Sequence, residues 1–223
     1  MVPVLFITFI ICLFIGVPVA FSLGFSALAY FLGANMPIAT FSQRFFAGLD
    51  SFTLLCIPGF TLAGNLMNQG GIAKRLVDFV LAILGKLPGA LLVTNVGANA
   101  LFGAISGSAS AAAAAVGSMV QEGEDKQGYE RAVCAATNGS SAPSGLLIPP
   151  SNALITYSLV SGGTSVAALF LAGYIPGILW AICCVVVAVI IARKKGYAGT
   201  PGKFDWKQLG IATLKAIPAL SLI

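Results

Sequence analysis

Two short polar clusters interrupt a strongly apolar chain. Ser106, Ser108 and Ser110 lie in LFGAISGSASA (residues 101–111), with alanines continuing to Ala115; Asn138, Ser144, Ser151 and Asn152 lie in NGSSAPSGLLIPPSN (residues 138–152). Neither cluster contains a charge. Serine hydroxyls and backbone carbonyls are the oxygen ligands that a hard cation such as Na+ accepts, without a carboxylate. A helix that ends in such a cluster turns partly negative carbonyls toward it, and one that begins there turns partly positive amides toward it. Carbonyls aimed at Ser106 and Gly139, together with serine hydroxyls, would favour a cation. Amides near Ala109 and Ser151 would favour an anion. Ser110, Asn138, Ser144, Ser151 and Asn152 are the candidate contacts to an anionic substrate. Small side chains at Gly107 and Ala109 allow the clusters to approach closely. A serine in an apolar helix ordinarily bonds the preceding turn, but two clusters, each at an expected helix break, favour a site.

Other chemistry finds no support in the residues. Histidine is absent, which removes the usual general base, proton relay and metal ligand. Cys12, Cys56, Cys134, Cys183 and Cys184 sit in apolar segments without metal-ligand spacing and read as helix-packing residues. There is no Walker A sequence and no Gly-x-Ser-x-Gly elbow, so an enzyme is not expected. Asn138-Gly139-Ser140 fits the glycosylation sequon, but its place at an expected buried break argues against modification. The net charge of +5 comes from Lys and Arg in short loops, with no basic stripe and interleaved aromatics, so no nucleic-acid partner is expected.

The elements that must position these clusters are membrane helices. Hydrophobic residues make up 58% of the chain and charged residues 9%, against about 25% charged in ordinary soluble domains. The chain reads as an all-α polytopic membrane protein. Residues 2–33, interrupted at Gly16-Val17-Pro18, read as one long tilted helix kinked at Pro18 and retained rather than cleaved. Residues 37–50 suit the interface, and 51–69 a further span, so 1–69 form scaffold-type helices. Residues 70–87 read as an amphipathic arm along the membrane surface. Residues 90–105 and 110–121 would rise roughly 24 and 18 Å as helices, short of the ~30 Å hydrocarbon core. A re-entrant hairpin over 88–122 fits those lengths; one continuous helix would lose stability at Gly103 and Gly107. Residues 121–131 carry the densest charge and read as a solvated turn. Pro143, Gly145, Pro149 and Pro150 predict a broken crossing over 128–160, with half-helices at 128–139 and 151–160. Unwound backbone at membrane depth must line a cavity or be buried in protein. Residues 164–195 form another span, ending on Arg193-Lys194-Lys195, which the positive-inside bias places in the cytoplasm. A linker and the start of a new apolar segment fill 196–223, so the chain is expected to be the first half of something larger.

The motifs closely resemble the large membrane subunit of tripartite ATP-independent periplasmic (TRAP) transporters, the DctM-like family. They run in order along the chain: GVPVAFSLG (16–24), SFTLLCIPGFTLAGNLMNQGGIAKRLVDF (51–79), LFGAISGSASA (101–111), GYERA (128–132), IPPS (148–151) and LFLAGYIPG (169–177). The resemblance implies the first of two inverted repeats of an elevator-type fold, each with a re-entrant hairpin and a broken transmembrane helix. It implies Na+-coupled uptake of an organic acid, such as a C4-dicarboxylate or an acidic sugar like sialic acid, across the bacterial inner membrane. The implied partners are a small four-helix membrane subunit and a periplasmic substrate-binding protein, within the lipid bilayer. The implied Na+ ligands are Ser106 and Ser108 with the backbone of Gly145, Ile148 and Pro150. Many members carry an acidic residue where this chain has Ala112. A passive channel, or a structural membrane scaffold without coupled transport, is the competing expectation.

Overall fold

A computed structural model describes residues 2–50, 54, 56–199 and 206–221. It is helical, with no strand among the described residues. The chain divides into two units, Met1–Leu54 and Leu55–Ile223.

The first unit holds α1 (Val2–Phe14), α2 (Val19–Gly33) and α3 (Ile38–Leu49). The single kinked helix expected over residues 2–33 is therefore two helices, and they pack against each other. Gly16 takes φ +88°, a left-handed conformation that costs a glycine little, and Pro18 follows with φ −54°. Together they reverse the chain where a kink alone was expected. Ser22 and Ser26 are buried and return their hydroxyls to carbonyls one turn earlier, so they serve helix packing.

In the second unit, α4 (Cys56–Gln69) covers the described part of the span expected from residue 51; residues 51–53 and 55 lie outside the described ones. The amphipathic α5 (Ile72–Leu84) buries Ala73, Leu76 and Val80, spaced along one face. Its Val80 and Leu84 meet Gly97 of α6 (Ala90–Ser106). α6, buried except at Gly97 and Leu101, is the axis of this unit. The chain then turns at Gly107-Ser108 into α7 (Ala109–Lys126). Leu91, early in α6, faces Gly123, late in α7, so the two helices run antiparallel. Each extends beyond its expected end, to roughly 26 and 27 Å at 1.5 Å per residue.

α8 (Arg131–Leu147) departs furthest from expectation. The half-helix predicted to stop at residue 139 continues through Pro143, and the unwound segment is only 148–151. A proline interior to a helix removes one amide and crowds the carbonyl four residues back. Here that residue is Gly139, whose own position is open, and Ser140, Ser141 and Ser144 donate to the carbonyls of Thr137, Asn138 and Ser141. None of these hydroxyls reaches the Gly139 carbonyl that Pro143 leaves without its amide, and α8 stays helical there through its packing on α6. α9 (Asn152–Val160) follows, then α10 (Val166–Lys195), which also passes unbroken through Pro176. Gly173 and Gly177 of α10 receive the end of α8: a Cβ on Gly173 would lie 2.6 Å from the Leu147 carbonyl, and one on Gly177 3.0 Å from the Ile148 amide. This is small-residue packing of the kind membrane helices use.

At 30 residues, roughly 45 Å, α10 is the one helix among those described that is long and apolar enough to cross a membrane unaided. Leu171, Ile175 and Leu179 stand exposed on it. Its basic end returns to the charged side of the unit, where Lys195 pairs with Glu130 and Tyr197 stacks on Tyr129 at 4.2 Å between ring centres. Burial pushes the Tyr129 phenol above its ordinary pKa. α11 (Trp206–Leu220) packs on α5; of the linker and new segment expected over 196–223, residues 200–205 and 222–223 lie outside those described.

Candidate functional site

The site starts from two helix ends and two helix starts. α6 ends at Ser106, and Gly107 closes it with φ +64°, its amide bonded to the Gly103 carbonyl at 2.7 Å. Ser108 then caps α7, accepting from the Ala111 amide at 3.3 Å. The second break repeats this grammar: α8 ends at Leu147, and Ser151 caps α9 by accepting from the Leu154 amide at 3.3 Å. Both caps are the serine type that satisfies free amides at a helix start.

The two breaks touch. The Asn152 amide donates to the Gly107 carbonyl at 3.4 Å, and a Cβ on Gly107 would sit 3.0 Å from the Pro150 carbonyl oxygen. One turn back, Gly103 and Gly145 bring α6 and α8 into backbone contact: a Cβ on Gly145 would lie 2.7 Å from the Asn99 carbonyl and overlap the Gly103 backbone. Gly64 of α4 covers the other side of Ser106, where its Cβ would meet the serine's Cβ at 3.2 Å. The Ser106 hydroxyl lies 3.4 Å from both the amide and the carbonyl of Ser108. Pro149-Pro150 is a cis peptide. The ends of α6 and α8 and the starts of α7 and α9 thus converge, with carbonyls and amides of opposite partial charge in one place.

The expected residues divide accordingly. Ser106 and Ser108 flank the glycine that meets Pro150, and Gly145 lies one turn from them against Gly103. Ile148 leans on Gly177 of α10. Ser110 shares a hydrogen bond of 3.1 Å with Ser108, Ser151 is fully buried as the α9 cap, and the Asn152 side-chain oxygen is buried without a partner. Ser144 points back along its own helix at 2.6 Å to the Ser141 carbonyl. Asn138 is not at the break. It lies inside α8, some 15 Å along the helix from residue 148, where it accepts from Asn99 at 2.9 Å and donates to the Ala113 carbonyl at 2.9 Å.

Residue patterns that were not read as functional form a second polar group. Asn95 and Asn99, one turn apart on α6, join Asn138 and Ser141 in a buried network with contacts of 2.8–2.9 Å. The signal was the spacing Asn95, Asn99, Gly103 along one helix face, hidden by the apolar residues between them. Glu124 also belongs here. The charged stretch 121–131, expected to be a solvated turn, instead carries α7 on to Lys126 and buries Glu124 and Tyr129.

The family model for the tripartite ATP-independent periplasmic transporter, DctM component, matches residues 6–223. The chain is 52% identical over 223 residues to the uncharacterized protein YgiK of Salmonella typhimurium, covering 99% of this chain and 51% of that protein. Over 190 residues it is 40% identical to the sialic acid TRAP transporter large permease protein SiaM of Vibrio cholerae, covering 85% of this chain and 44% of SiaM. Over 224 residues it is 36% identical to the C4-dicarboxylate TRAP transporter large permease protein DctM of the same organism, covering 100% of this chain and 49% of DctM. The chain therefore spans about half the length of these relatives. That family is one of transport permeases rather than enzymes, and this chain belongs to it: the DctM component of the tripartite ATP-independent periplasmic transporters.

Proposed function

We propose that this chain carries part of a Na+-coupled uptake system for an organic acid, in which the meeting of Gly107-Ser108 with Pro150-Asn152 forms an ion site. The observation behind the reading is that convergence: two helix ends supply carbonyls and two serine-capped helix starts supply amides, at a point where glycines let the backbones touch. Na+ takes Ser106 and Ser108 hydroxyls with carbonyls of Gly145, Ile148 and Pro150, a set of neutral oxygens suited to a weakly held monovalent cation. The substrate's carboxylate takes the amide ends of α7 and α9, with Ser110, Ser151 and Asn152 as polar contacts. Of the earlier substrate candidates, Ser144 and Asn138 drop out of direct contact because each is committed within the helix packing.

The α6–α7 pair acts as a re-entrant hairpin and α8–α9 as a broken crossing, in a multi-pass protein of the bacterial inner membrane that moves its site by an elevator motion. A small membrane subunit and a periplasmic binding protein complete the system; the family's tripartite description and the word large in its relatives' names support this. The C4-dicarboxylate and sialic acid permeases among those relatives define the substrate classes to try first. The test is uptake into proteoliposomes holding the full-length protein and its small subunit. Accumulation should require both an inward Na+ gradient and the cognate binding protein. Equal uptake without either would remove the tripartite, Na+-coupled reading and favour a passive channel.

A further inference from the structure

A cavity of about 420 Å³ lies between α7 and α8 with Asn95 of α6 at its wall. It is separate from the helix ends described above: Glu124, Gln121, Ser118, Cys134 and Asn138 line it, and it sits toward the charged end of the unit. Glu124 is 4% exposed, and its Oε1 is buried without a hydrogen-bond partner. The Asn95 side chain and the Cys134 thiol stand beside the same carboxylate as neutral donors. Arg131, the one cation among the described residues lining the cavity, holds Asp125 in a two-point pair at 3.0 and 3.1 Å, so it does not neutralise Glu124. A buried carboxylate without a counter-charge is strongly unfavourable, so Glu124 must take up either a proton or a cation.

We propose that Glu124 is the anchor of a monovalent-cation site in this cavity, reached from the charged end of the helices and distinct from the ion site at Gly107–Asn152. One uncompensated negative charge surrounded by side-chain amide and hydroxyl oxygens suits a monovalent ion that keeps part of its hydration. A divalent ion would call for a second free carboxylate, and Asp125 is occupied by Arg131. The polar network through Asn95, Asn99, Asn138 and Ser141 leads from this anchor along α6 and α8 toward Gly103 and Gly145. It supplies oxygen atoms along the line between the two sites.

Cys134 reports on the cavity without added chemistry. In the full-length protein in nanodiscs, with Cys134 as its sole cysteine, alkylation by N-ethylmaleimide is followed at fixed pH and ionic strength as choline is replaced by Na+ or K+. The expected result is slowing of at least threefold by one of these ions, saturating with concentration. Glu124→Gln should abolish the slowing, and Asn95→Ala should raise the concentration needed severalfold, which keeps the test available if Glu124→Gln does not fold. Ser108→Val, a change at the opposite end of α7 from Glu124, should leave the protection intact. Absence of protection by either ion, protection that survives in Glu124→Gln, or protection lost in Ser108→Val would each overturn the proposal. The first two outcomes leave the Gly107–Asn152 reading untouched.

Discussion

Gly145→Ala is expected to lower the thermal unfolding midpoint of the full-length protein and to abolish uptake, although it adds a single methyl group. That methyl would overlap the Gly103 backbone and lie 2.7 Å from the Asn99 carbonyl, so no side chain can rotate away to admit it. The helices α6 and α8 must separate, and overpacking of this kind costs roughly 1–3 kcal/mol. Rigid backbone on both sides places Gly145 at the upper end, about 3 kcal/mol. The control is Gly139→Ala on the same helix. Its Cβ meets nothing within 4 Å, and alanine is the better helix former by roughly 0.5–1 kcal/mol, so that variant should be at least as stable as the parent. Equal midpoints for the two variants would show that the α6–α8 contact is looser than described.

Gly107→Val should act more locally and nearly as severely on transport. Gly107 holds φ +64°, where a residue with a Cβ is disfavoured by roughly 1–2 kcal/mol. The added Cβ would also press on the Pro150 carbonyl at 3.0 Å and the Asn152 amide at 3.4 Å. Relief requires the turn and the 150–152 segment to part, which would separate the two halves of the proposed ion site. Initial uptake rates in vesicles should fall at least tenfold while most of the protein remains folded. Gly128→Ala separates strain from contact: it shares a positive φ of 72° but has nothing within 4 Å, and it should transport normally.

The residues made some of this legible and concealed the rest, for physical reasons that differ by segment. The break at Gly107-Ser108 could be read because a left-handed closing residue and an N-cap occupy adjacent positions. The same holds for Pro149-Pro150-Ser151, where two prolines and a cap coincide. Pro143 predicts a break because its cost is local while its compensation is not: packing of α8 on α6 holds the helix through it. The fold-back after Phe14 was hidden because a Gly-Val-Pro step is compatible with either a kink or a reversal. Burial of Glu124 could not be read at all, since a charge-dense stretch looks solvated until α6 and α8 are seen to cover one side of it. The family, by contrast, was recognisable from motif order alone, because each motif marks a break, a close contact or a cap whose spacing the fold depends on.

The central claim is that Na+ binds where Ser106-Gly107-Ser108 meets Pro150. Ser108→Val removes one hydroxyl there and the α7 cap, the latter worth about 1 kcal/mol of stability, so the thermal midpoint is measured alongside. The decisive quantity is the Na+ concentration giving half-maximal uptake, in proteoliposomes at fixed membrane potential with saturating binding protein. Loss of one ligand should raise it about tenfold, equivalent to ~1.4 kcal/mol. An unchanged Na+ requirement in a folded Ser108→Val protein would contradict the assignment.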